Sequence, residues 1–79
     1  SGRNPAVTTT TLDTLATGDT GTITATSGQD APLLRAMGLR EGVEVTVRRI
    51  GEPCIVDAGN TRLGLASAMS GVVEVTTPS

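Results

Sequence analysis

Few side chains in this sequence could do chemistry. There is one thiol, Cys54, with Glu52 and Asp57 within three residues of it. A thiolate is a good ligand for soft metal ions, and carboxylates could add oxygen ligands. The sequence contains no His, however. Cys54 therefore lacks the nitrogen co-ligands of a zinc cage and the base that a Ser/His/Asp or Cys/His nucleophile requires. On a strand, Cys54 and Asp57 would also face opposite sides, because successive side chains alternate. Cys54 reads as a small buried hydrophobe, and no catalytic residue, metal site or cofactor is expected. Gly51, Gly59 and Gly71 invite a phosphate-loop reading, but no Gly-rich run leads into a Lys and a helix, so they read as turns.

Binding is the chemistry that remains. Arg35, Arg40, Arg48 and Arg49 place four of the six arginines within fifteen residues. They could face an acidic partner, although Glu41 and Glu44 interrupt them and a solvated mixed-charge face is the competing reading. Met37-Gly38-Leu39 is the second candidate, because a helix end exposes apolar atoms and free carbonyls; its alternative role is core packing plus a helix stop. The partner-binding candidates are thus Met37, Gly38, Leu39, Arg35, Arg40 and Arg48. A net charge of -2 and the absence of Phe, Tyr and Trp remove both the electrostatic funnel and the stacking platforms of nucleic-acid modules. They also remove the aromatic groove that reads proline-rich peptides.

These residues need a scaffold, and the composition favours strands. Fourteen Thr and ten Gly in 79 residues suit pleated surfaces and tight turns. Thr20 to Thr26 alternates, with threonines outward and Gly21, Ile23 and Ala25 inward. Asp30 is placed to cap a short helix with Pro32 in its first turn. Leu33, Leu34 and Met37 share one helical face, and Gly38 is the natural left-handed residue of a Schellman ending that folds Leu39 back on Leu34. Val43, Val45 and Val47 form a half-buried strand, followed by a bulge around Arg48 to Gly51 that returns Ile50 to the core. Cys54 to Ala58, a tight Gly59-Asn60 turn and Thr61 to Ala66 make a hairpin with Leu63 and Leu65 inward. Ser67 to Gly71 is a single helical turn, and Val72 to Thr76 is the last strand.

The expected architecture is all-β: a small, SH3-like, five-stranded, partly open barrel with one short helix after the first strand. Residues 1–11 read as a flexible N-terminal tail, 12–76 as the domain and 77–79 as a C-terminal tail. So small a core is stable to a modest degree unless a partner or weak self-association adds to it. The lone thiol suits a reducing compartment. No apolar run approaches the roughly 18 residues of a membrane span, and no signal peptide is visible. A cytoplasmic location without membrane insertion is expected.

The ordered pattern Leu12-x-x-Leu15-x-x-Gly18-x-x-Gly21-x-Ile23, then Leu34-x-x-Met37-Gly38-Leu39-x-x-Gly42-x-x-Val45-x-Val47, resembles the ferrous iron transport protein A (FeoA) family. Gly51-x-Pro53, Leu63-x-Leu65 and Val73-x-Val75 look like that family's closing strands in order. The chain departs from the family at Ala66, where a basic residue is frequent, and at Ser70, where an alanine is. The resemblance implies a non-catalytic accessory of bacterial ferrous iron uptake that docks on the cytosolic part of the FeoB-type membrane G-protein permease. Transition-metal binding is a family property on the same footing. The alternative is an SH3-like sensor or dimer-support domain of an iron-dependent transcriptional repressor.

Overall fold

Alternating β-branched and small residues run through most of the chain, and in the structure they become strands joined by short turns. The structure is a computed structural model that describes residues 7–78. Its elements are β1 (Val7–Thr11), a 3-10 turn (Leu12–Thr14), β2 (Thr20–Thr26), α1 (Ala31–Ala36), β3 (Glu44–Arg49), β4 (Cys54–Ala58), β5 (Thr61–Leu65), α2 (Ser67–Ser70) and β6 (Val73–Pro78). All strand pairs are antiparallel, in the order β1-β6-β2-β3-β4-β5.

The sheet thus has six strands where the sequence pattern suggested five. The extra one is β1, in the segment expected to be tail. Its threonines have little to bury, but Thr9 and Thr10 pair with Thr76 and Val75, and a ladder of backbone hydrogen bonds needs no apolar side chain. The same pairing draws Thr77 and Pro78, expected to be C-terminal tail, into β6. Residues 1–6 of the expected tail lie outside the described residues. In consequence α1 follows the second strand and not the first; α2, four residues long, is the single helical turn expected there.

The core occupies one side of the sheet. β2 to β6 contribute Ile23, Val45, Val47, Cys54, Val56, Ala58, Leu65, Val73 and Val75, while Leu34 and Leu39 come from α1 and its exit, and Leu12 and Leu15 from the 3-10 turn and the residue after it. β4 shows the logic in five residues: Cys54, Val56 and Ala58 are buried, whereas Ile55 and Asp57 are only partly so. β5 does not pair with β1, and α2, which follows β5 in the chain, touches both β5 and the 3-10 turn.

Two bulges adjust the faces. In β2 the register with β6 shifts between Ile23 and Ala25, and in β3 the register with β4 shifts between Val47 and Arg49. The second is the bulge expected from the sequence, but it does not return Ile50 to the core. Ile50 is 59% exposed, because β3 ends at Arg49 and the chain leaves the sheet before Ile50.

α1 ends as its sequence requires. Leu39 N–H donates to the Leu34 carbonyl at 2.9 Å and Gly38 N–H to the Arg35 carbonyl at 3.0 Å, the two bonds of a Schellman motif. Gly38 has φ +105°, and Leu34 and Leu39 are both fully buried. The other end departs from expectation. Asp30 occupies the cap position, but its side chain makes no capping bond; its φ of -91° and ψ of 5° lie away from the extended conformation such a bond needs.

Replacing Gly38 by Ala tests the helix stop. An added Cβ would meet nothing within 4 Å, so the cost is that of the left-handed backbone alone. Gly38→Ala should lower unfolding stability by about 1–2 kcal/mol in urea denaturation, with the slope unchanged.

Candidate partner-binding surface

The short α1 buries one side chain and leaves the rest of its surface open. Leu34 faces the core, Met37 packs half-buried against it, and Leu33 is 50% exposed. Leu33, which helical spacing had grouped with the core, sits four residues before Met37, so the two are neighbours on the helix surface. Gly38 is half-buried, and Arg35 and Arg40, before and after it in the chain, are exposed. Arg35 Nε donates to Thr26 Oγ1 at 3.3 Å, tying the helix to the end of β2.

Leu39, an expected contact residue, has no accessible surface. Its place in the Met37-Gly38-Leu39 corner is packing, because the Schellman turn folds it inward. Leu33, Met37 and Gly38 lie together at the exit of α1, whereas Arg35, two residues from both Leu33 and Met37, leaves the other flank of the helix toward Thr26. Arg48 is not part of this corner. That residue lies at the far end of β3, about 13 Å along the strand from Glu44.

Arg48 belongs to a different assembly on the outer face of the sheet. Asp57 accepts a hydrogen bond from Arg48 Nε at 2.6 Å and bonds from Arg62 Nε and Nη2 at 2.8 Å and 3.2 Å. Side-chain hydrogen bonds from Arg62 first, and Arg48 second, lower the Asp57 pKa to about 2. Arg62 was not singled out from the sequence, although the signal was there. A two-residue turn at Gly59-Asn60 makes Asp57 and Arg62 directly opposite neighbours, and opposite charges at that position attract.

Cys54 points inward and is only 7% exposed. Burial, with the nearby Asp13 charge second, raises its pKa, so the thiol is held in its protonated, weakly nucleophilic form. A cleft of about 180 Å³ outside it is lined by Leu12, Asp13, Leu15, Ile50, Ser67 and Ser70, among others. Glu52, the other acidic neighbour in sequence, accepts a bond from Ser67 N–H at 2.8 Å and so faces the start of α2. Among the described residues, no three His, Cys, Asp or Glu side chains gather closely enough to hold a metal ion. Nor is any helix of those residues long and apolar enough to cross a membrane.

Comparison with solved structures places this architecture. FeoA of Stenotrophomonas maltophilia in complex with zinc is 27% identical, with a TM-score of 0.76 over 82% of this chain and 87% of that one. It is described as a prokaryotic SH3 domain protein and suggested as a ferrous iron transport activating factor. An iron uptake regulatory protein, also FeoA, superposes with a TM-score of 0.80 at 24% identity, covering 86% of this chain and 94% of that one. The fold extends to IdeR of T. acidophilum, at a TM-score of 0.80 and 14% identity over 96% of this chain and 37% of that one. No curated protein matches the sequence.

A small open antiparallel sheet with a helix-stop corner is thus an SH3-like domain. A family model, the FeoA domain, matches residues 10–77. The chain belongs to the FeoA family, which is linked to ferrous iron transport.

Two measurements check the surface. The depressed Asp57 pKa means that its ion pairs stabilise the fold above the ordinary carboxylate range and are lost as pH falls through about 2. The stability gap between wild type and Asp57→Asn should therefore be present at pH 7 and close between about pH 4 and pH 2. Leu39→Asp, which buries a charge in the core, should abolish the cooperative unfolding transition and the dispersed amide spectrum, whereas Leu33→Asp should leave both intact.

Proposed function

We propose that this chain is a non-catalytic accessory of bacterial ferrous iron uptake that docks on the cytosolic part of the FeoB-type membrane G-protein permease. Membership of the FeoA family over residues 10–77 carries the reading. It is supported by the suggested role of the S. maltophilia protein as a transport activating factor.

The accessible corner is suited to such a task. Leu33 and Met37 offer apolar area on a helix already pinned to β2, so little conformational freedom remains to be lost on binding. Arg35 and Arg40, both exposed and near that area in the chain, steer an acidic surface toward this end of the domain, making association fall with salt. Arg48 contributes from a separate patch, where Asp57 already holds it. The likeness to a manganese-dependent transcriptional repressor, at 22% identity, and to IdeR, at 14%, extends to the fold alone.

Capture of the intact permease, and of its cytosolic G domain, by the immobilised chain tests the reading. Wild type should retain at least one of them, Leu33→Asp should reduce retention at least tenfold, and deletion of the gene should lower ferrous iron uptake. No retention of either target, together with unchanged uptake, refutes it.

A further inference from the structure

The hairpin of β4 and β5 leaves a set of backbone groups without partners. Gly59 N–H donates to the Glu44 carbonyl at 3.3 Å, which sets the phase of the ladder. By alternation, Asp57 and Ile55 turn their backbone groups toward β3, while Ala58, Val56 and Cys54 turn theirs toward β5. Their opposite residues are Thr61, Leu63 and Leu65. Arg62 and Gly64 therefore carry their N–H and C=O groups on the other side of β5. That strand ends the sheet, and among the described residues no backbone hydrogen bond reaches this side of it.

The side chains beside this edge are those of a recognition surface. Gly64 is exposed, and a Cβ there would lie 3.5 Å from both Ile55 Cδ1 and Pro53 Cγ. Gly64 is thus the floor of a notch with apolar walls. Two residues earlier on the same face, the Arg62 side chain is 65% exposed. The chain as a whole is acidic, at -2, yet around this edge Arg48, Arg49 and Arg62 outnumber Asp57 and Glu52 by three to two. Glu52 is taken up by Ser67 N–H, and Asp57 by Arg48 and by Arg62 Nε and Nη2, which leaves Arg62 its Nη1 donors to offer a partner.

We propose that the free edge of β5 accepts an extended partner segment as an added antiparallel strand, with an apolar residue over Gly64 and an acidic residue two positions later opposite Arg62. In this register the outward groups of Arg62 and Gly64 supply the main-chain bonds, and the notch and the guanidinium supply selectivity. A residue between the two faces half-buried Leu63 on the other side of the sheet. A second copy fits less well. Pairing two β5 strands about Leu63 sets Arg62 against Gly64 of the copy and brings no carboxylate to the guanidinium. The inference goes beyond the docking proposed above, because it stands on the edge alone. A peptide that fails here leaves capture of the permease untouched, and failed capture leaves the edge intact.

The test uses the full 79-residue chain, isotope-labelled, titrated with an end-blocked peptide of threonine, valine, leucine, glutamate and threonine, and with a counterpart carrying lysine for glutamate. Saturable shifts should centre on the Arg62 and Gly64 amides, with binding at least fivefold weaker for the lysine peptide. Gly64→Pro removes an outward donor while sparing the bonds to β4, and should weaken binding at least tenfold. Arg62→Glu should reverse the preference between the peptides, and carries the test if the proline variant does not fold. The proposal is overturned by the absence of saturable shifts at millimolar peptide, or by a folded Gly64→Pro that binds as wild type does. Arg62 and Gly64 shifts that follow chain concentration without peptide would also overturn it, since they assign the edge to a second copy.

Discussion

Everything in this domain depends on a core of aliphatic side chains and one thiol gathered on one side of a six-stranded sheet. With no aromatic ring to fill space, valine and leucine side chains must interdigitate closely, since cavities in so small a core cost a large share of its stability. The turn at Gly38 is central because it brings Leu34 and Leu39, two of the largest buried side chains, into that core from a helix of only six residues. Burial at this end also fixes what is left outside. Once Leu34 and Leu39 are committed inward, the helix has Leu33, Arg35 and part of Met37 to show a partner.

The elements that alternate most regularly were the most legible in the sequence. β4 and the β4–β5 turn could be read residue by residue, because a period of two and a Gly-Asn pair leave few choices of face and register. The Schellman ending was equally plain, since only glycine enters the left-handed region without strain. β1 was not legible. Its run of threonines has no apolar face, and its partner, β6, lies some sixty-five residues away in the chain. Ile50 was misplaced for a related reason: a bulge tells where alternation breaks, but not whether the strand continues beyond it.

The candidate surface was legible in composition more than in geometry. Met37 and Gly38 stand at the exit of α1, whereas Arg35 is tied to Thr26 and closeness in sequence suggested a place there for Arg48 that the length of β3 denies. Leu39 had two readings, a contact at the helix end and a residue folded back on Leu34, and the Schellman turn realises the second. The Arg48–Asp57–Arg62 assembly, by contrast, follows from hairpin register and strand alternation, two rules that need no long-range information.

The pairing of the first described strand with the last has a further consequence. Val7 lies opposite Pro78, so the two ends of the domain stand about 5 Å apart, side by side on one edge. A longer polypeptide can therefore enter and leave such a unit at a single point, without rerouting its own backbone. That geometry makes the domain a portable cassette, suited to being spliced into larger architectures or permuted with its ends joined.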